Sequence, residues 1–246
     1  MTRPMGRNDR DYAPMNELAL FAGAGGGILG SKLLGHRIMG YVENNEYCQK
    51  VLAQRIKDGI LDDAPIFSDI RTFNDSGYAS RYRGLVDVLS GGFPCQPFSA
   101  ATHGVKTAEN MWPEMRRTVA IVRPRFVFAE NVQREPIEQA ATDLKSMGYT
   151  SKAIPLAAQD LGADHIRERF WLLAHSNDQS ELLREINAEV GCLSELSCSV
   201  WESGPGNGRM AHGLARRVDR FRAIGNGQVP IVAATAFRIL SGILGK

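Results

Sequence analysis

The stretch ELALFAGAGGGILGSKLLG, residues 17–35, constrains the fold more than any other part of the chain. A short apolar run meets glycines at 23, 25, 26 and 27, and apolar residues then fall at helical spacing at Ile28, Leu29, Leu33 and Leu34. That order predicts strand, tight turn and helix. The pattern recurs downstream. HRIMGYVEN reads as a second strand ending in Glu43, followed by a helix from Glu46 to Lys57; IFSDI closes a short third strand; and an apolar strand at Leu85–Leu89 opens GLVDVLSGG. MWPEMRRTVAIV is helical, RFVFAENV a strand and PIEQAATDLKSMG a helix. Strands alternating with helices imply an α/β fold, a mostly parallel, doubly wound sheet covered on both faces. SKAIPLAA and RFWLLAH read as two further strands paired antiparallel at the sheet edge, and PIVAATAFRILSGIL as a terminal helix that opens on proline.

With 246 residues, 43% of them apolar and 23% charged, the chain can bury one sizeable core with a small appendage. The expected division is a flexible N-terminal segment over 1–16, a catalytic and cofactor-binding domain over 17–175, a short target-recognition region over 176–215 and a returning segment over 216–246. No run of eighteen apolar residues occurs, so a cytoplasmic protein without a membrane partner is expected. The four cysteines show no C-x-x-C spacing, which argues against structural zinc and leaves reduced thiols and no metal as the expectation.

One of those cysteines has an unusual setting. In SGGFPCQPFSA, residues 90–100, two glycines permit a sharp turn or a close approach, and Pro94 and Pro97 restrict the backbone on either side of Cys95. Such a loop packs poorly and positions well, which favours a nucleophile over a small buried hydrophobe. The glycine turn after the first strand suits a nucleotide, with Glu43 placed for ribose hydroxyls and Asp69 for an adenine amino group. Strand ends on one sheet edge form the binding crevice, so Gly23, Glu43, Asp69 and Cys95 should converge there with Glu130, the end of RFVFAE. A cysteine, a glutamate and a nucleoside cofactor fit one reaction. Thiolate addition at carbon 6 of a pyrimidine turns carbon 5 into an enamine nucleophile, and a glutamic acid at ring N3 eases that addition.

A net charge of +2 says little about partners, but RMAHGLARRVDRFR, residues 209–222, carries five arginines against one aspartate. That run suits phosphate contacts, although it equally suits the solvated face of an ordinary helix.

In order along the chain, FAGAGGG, VENNEYC, SDI, GGFPCQPFS, ENV, IRERFWLLA and AIGNGQVPIVAATAF resemble the motifs of the DNA cytosine-5 methyltransferases of phage or bacterial type. The resemblance implies a Rossmann-like S-adenosylmethionine-dependent methyltransferase fold with a small recognition insert, acting on a cytosine flipped out of double-stranded DNA. It implies a catalytic set of Cys95, Glu130, Arg167 and Arg169. Phe21, Gly23, Gly25, Gly26, Glu43, Asn44, Asp69, Ile70, Pro94 and Asn226 would hold S-adenosylmethionine and its product S-adenosylhomocysteine. Gln96, Ser99, Arg209, Arg216 and Arg217 would touch DNA.

Three departures stand out. Ala19 replaces an acidic residue of the first motif, His165 replaces a glutamine, and only about forty residues, Ser176–Ala215, separate the Arg-x-Arg motif from the last motif. So short a recognition region implies a short or relaxed target site, or a separate specificity or restriction partner for an otherwise monomeric enzyme. An RNA cytosine-5 methyltransferase, a catalytically silent DNA-binding relative and a nicotinamide-dependent oxidoreductase are the alternatives. The last leaves Cys95 and Glu130 without a task.

Overall fold

In the computed structural model, residues 14–95, 109–177 and 227–244 are described. Seven strands, β1 (Asn16–Leu20), β2 (Arg37–Val42), β3 (Ile66–Phe67), β4 (Val88–Gly92), β5 (Phe126–Asn131), β6 (Tyr149–Ala157) and β7 (Glu168–Ser176), form one sheet in the order β3-β2-β1-β4-β5-β7-β6. β7 runs antiparallel to both of its neighbours, and every other pairing is parallel. The expected antiparallel pair is therefore at the edge. A short connection suffices between antiparallel strands, whereas the parallel ones need crossover helices. Those are α1 (Gly26–Leu33), α2 (Glu46–Lys57), α3 (Ile70–Asp75), α4 (Trp112–Val122) and α5 (Arg134–Ser146), joined by the later α6 (Pro230–Leu244).

Alternation along the strands sorts the core into two layers. Leu18, Leu20, Leu89, Val127, Ala129 and Leu172 meet Phe73, Met115, Val119, Ile137 and Leu144 from α3, α4 and α5. On the opposite face Val88, Phe126, Phe128, Trp171 and Leu173 pack against Val232, Phe237 and Leu240 of α6, while Ala19, Ile38 and Tyr41 meet Ile28 of α1 and Leu52 of α2.

Two local expectations change. Leu33, read as part of the apolar face of α1, is 54% exposed, and the buried positions are Ile28, Gly30 and Ser31. Helix α6 lies too close for a large side chain: a Cβ at Gly30 would sit 2.6 Å from the carbonyl oxygen of Pro230 and 3.0 Å from the Cβ of Ala233. The fourth strand also starts later than its apolar run. Leu85 is 56% exposed and β4 begins at Val88, because Asp87 anchors the chain, donating its N–H to the Asn16 carbonyl and accepting from the Asn16 N–H at 2.9 Å. Gly91 and Gly92 thus belong to the strand, paired with Ala129 and Glu130, and the turn comes after them.

Beneath the glycine turn lies a buried polar knot that the sequence did not announce. Glu17, 1% exposed, accepts from Ser31 Oγ at 2.8 Å and Ser90 Oγ at 2.5 Å and faces His36 Nδ1 at 2.7 Å. It fastens α1, β4 and the entry to β2 to the first strand. Replacing Glu17 with alanine takes the acceptor from Ser90 and His36 and leaves Ser31 only the Gly27 carbonyl at 3.4 Å, so urea unfolding should show a loss of about 2–4 kcal/mol.

Candidate active site

The sheet order reverses between β1 and β4, and the crevice of such a fold opens beyond the carboxyl ends of those strands. The register fixes what meets there. Leu20 pairs with Val42 and Gly91, and Gly92 pairs with Glu130, so the residues that follow β1, β2, β4 and β5 emerge side by side.

On the β1–β2 side, Phe21 turns the chain with a φ of +50°, and the N–H of Gly23 donates to Glu43 Oε2 at 2.6 Å. Glu43 Oε1 accepts from the Asn45 N–H at 2.7 Å. The buried carboxylate therefore clasps the glycine turn, and each oxygen retains a lone pair for a further donor. Gly25 caps α1, Gly26 begins it, and Asn44 is exposed beside Glu43. Asp69 caps α3, accepting from the Thr72 N–H at 2.8 Å through Oδ1. Ile70 starts that helix, but its side chain is buried in the core, so it offers the crevice backbone only.

On the β4–β5 side, Cys95 and Glu130 are brought together by a residue not singled out beforehand. Asn131 is buried at the end of β5; its Nδ2 donates to the Phe93 carbonyl at 2.9 Å, and its Oδ1 accepts from Cys95 Sγ at 2.9 Å and from the Gln133 N–H at 3.0 Å. The Pro94 carbonyl accepts from the Met111 N–H at 2.9 Å, which holds the other flank of the cysteine. Burial pushes the Cys95 thiol above its ordinary value, and the nearby Glu130 and Glu135 carboxylates add to the shift.

Glu130 is buried with a partner on each oxygen. Arg169 Nε lies 3.1 Å from Oε1, and Gln228 Nε2 donates to Oε2 at 3.1 Å. Burial raises the Glu130 carboxyl above the usual range, although Gln228 and the two arginines pull the other way. Arg167 has a left-handed backbone, φ +36°, and its guanidinium donates to the carbonyl of Gly227. The two arginines of the motif thus divide: one holds the carboxyl, the other the chain that leads into α6.

The structure therefore gathers Cys95, Glu130, Arg167 and Arg169 at one end of the crevice and the glycine turn, Glu43 and Asp69 along the rest. Asn226, Gln96, Ser99, Arg209, Arg216 and Arg217 lie outside the described residues. Sequence reasoning passed over Asn131 and Gln228, which sit inside the quoted motifs ENV and AIGNGQVPIVAATAF, one position from Glu130 and two from Asn226.

A family model described as C-5 cytosine-specific DNA methylase matches residues 15–195. The chain belongs to that family. Among curated relatives it is 28% identical over 182 residues to the Type II methyltransferase M.CviJI of Paramecium bursaria Chlorella virus IL3A, covering 70% of this chain and 46% of the relative. It is 26% identical over 180 residues to the Type II methyltransferase M.HhaI of Haemophilus parahaemolyticus, covering 69% and 52%. The chain spans about half the length of the curated relatives it matches. Among solved structures, DNMT2 of Spodoptera frugiperda superposes with a TM-score of 0.54 at 18% identity, over 67% of this chain and 50% of that one. A prophage-encoded Escherichia coli protein described as a DNA modification methyltransferase gives 0.53 at 24% identity, over 67% and 47%. These likenesses establish the methyltransferase fold.

The raised thiol has a measurable consequence. A thiol whose pKa lies above the ordinary value carries less thiolate at neutral pH, so alkylation of Cys95 by iodoacetamide should be slower at pH 7 than that of a free cysteine. Its rate should still be climbing, about tenfold per pH unit, where the free thiol has levelled off; peptide-resolved mass spectrometry reads this.

Proposed function

We propose that this chain is a DNA cytosine-5 methyltransferase that transfers a methyl group from S-adenosylmethionine to carbon 5 of a cytosine flipped out of double-stranded DNA. The observation that carries the reading is the coupling of Cys95 to Glu130. A buried asparagine, from the position next to the carboxyl, accepts from the thiol across the β4–β5 register, and Gln133 Oε1 lies 3.5 Å from the same sulfur. The glycine turn fits the cofactor: a Cβ at Gly23 would meet nothing within 4 Å, so the turn borders open space, and Glu43 retains acceptor capacity beside it. Phe21 would lie by the adenine, Glu43 would take the ribose hydroxyls and Asp69 the adenine amino group, with Asn44, Pro94 and Asn226 completing the site and Gly25, Gly26 and Ile70 contributing backbone. Held there, S-adenosylmethionine supplies an electrophilic methyl group.

The chain's own residues supply the rest. Flipping is needed because carbon 6 of a stacked cytosine is out of reach. Cys95, as thiolate, forms an S–C6 bond and displaces an electron pair toward carbon 5, while Glu130, as the acid, gives a proton to N3 and so removes the charge that would build on the ring. Burial favours the acid form of Glu130 before the base arrives. After carbon 5 has taken the methyl group, loss of its proton to water as the base expels the thiolate, and N3 returns its proton to the Glu130 carboxylate, which restores the neutral ring and the acid. Arg169 keeps the carboxyl in place, and Arg167 keeps the chain before α6 against the site. Gln96, Ser99, Arg209, Arg216 and Arg217 are the proposed DNA contacts, and the short recognition region over 176–215, which holds Arg209, would read a short or relaxed target.

The test is direct. The protein and its Cys95→Ala variant are incubated with unmethylated DNA and S-adenosylmethionine, and the DNA is digested and assayed for 5-methylcytosine by mass spectrometry. Product is expected from the wild type alone; wild-type protein that binds the cofactor but makes no product overturns the reading. Glu130→Gln should lower the rate about 100-fold or more. Glu43→Ala should weaken cofactor binding about tenfold or more, as calorimetry would measure.

A further inference from the structure

Gln228 reaches Glu130 from a place built for it. Its backbone carbonyl lies where a Cβ on Gly26 would be and its side-chain Oε1 where a Cβ on Gly27 would be, so neither position tolerates a side chain while Gln228 is seated. A third glycine completes the seat: a Cβ at Gly92 would stand 2.5 Å from Glu130 Oε2 and 2.9 Å from Gln228 Nε2. One residue earlier, the carbonyl of Gly227 is taken by the Arg167 guanidinium. Glycines of α1 and β4 thus close around Gln228, Arg167 fixes the carbonyl of the residue before it, and the amino end of the Gln228 side chain points at the buried carboxyl.

We propose that Gln228 is a positioning residue for Glu130, holding the carboxyl oxygen that Arg169 leaves to it. The inference rests on the function proposed above. With Arg169 on Oε1 and Gln228 on Oε2, the carboxyl cannot rotate about its last bond without losing a partner, so its plane is set before a base arrives. The ionisable groups that face Glu130 among the described residues are Arg169, Arg167 and Cys95. Gln228 adds to these a neutral donor, which opposes the effect of burial and keeps the acid able to release its proton to N3.

Gln228→Leu removes the donor while filling the seat, and Gln228→Ala removes it without bulk, so at least one variant should fold if the tight glycine seat rejects the other. In protein carrying glutamate labelled with carbon-13 at Cδ, the Glu130 signal is assigned with Glu130→Gln. Its titration midpoint should move upward by about one pH unit in each folded variant, since a donor to the ionised form has been lost. In methylation assays kcat should fall about tenfold, with KM for DNA and for S-adenosylmethionine within about threefold of wild type. An unmoved midpoint in a folded variant overturns the proposal, as does a rise in the cofactor KM with kcat unchanged, which would make Gln228 a wall of the cofactor site only. If the wild type makes no 5-methylcytosine, the functional reading fails while the carbon-13 titration still decides whether Gln228 holds Glu130.

Discussion

A carboxyl group buried at the end of β5 sets demands that much of the surrounding structure meets. An ionised carboxylate without partners is costly in such a place, so Glu130 needs donors, and they must arrive at the carboxyl edge of the sheet. The direction of β7 supplies one. Because β7 is antiparallel to β5, its first residues lie beside the last residues of β5, and Arg169 comes within reach of Glu130. A parallel strand in the same place would have carried those residues to the opposite edge. The hydrogen-bond direction of one strand therefore decides whether the site has its arginine.

Closeness of backbone is the second condition. Gly26, Gly27 and Gly92 are small because other parts of the chain occupy the space a side chain would take, and in all three cases that part belongs to Gln228 or Glu130. The glycine turn thus serves two faces. One offers the Gly23 N–H to Glu43 and borders open space, while the other receives the segment that leads into α6. The same helix start ties the β1–β2 side of the crevice to the β4–β5 side through contacts between segments far apart in the chain.

Much of the fold was legible because the alternation of apolar strands and helical runs is a local property. The strand–turn–helix opening, the ends of β2 and β5 and the β6–β7 pair could be read from spacing alone. What spacing could not show was contact. Leu33 reads as core by period, but the burial of α1 is decided by how closely α6 approaches, and a small-residue face at Gly30 and Ser31 wins. Leu85 reads as strand, but the anchoring of Asp87 to Asn16 places the start of β4 beyond it.

The candidate site divides along the same line. Cys95, Glu130 and Glu43 were recognisable because their chemistry is expensive or unusual where it stands: a thiol between prolines, a carboxylate after an apolar strand, an acid one strand beyond a glycine turn; the Arg-x-Arg pair came only with the family resemblance. Asn131, Gln228 and Glu17 carry ordinary side chains whose importance comes only from partners far along the chain, at separations of 36, 98 and 73 residues for Cys95, Glu130 and Ser90. The sequence by itself determined which reactive groups stand at strand ends, since strand period and turn residues act over a few positions. Only the tertiary structure decided which amide holds the thiol, which holds the carboxyl and which acid knots the sheet, because a hydrogen bond depends on distances of about 3 Å between segments that the chain brings together only on folding.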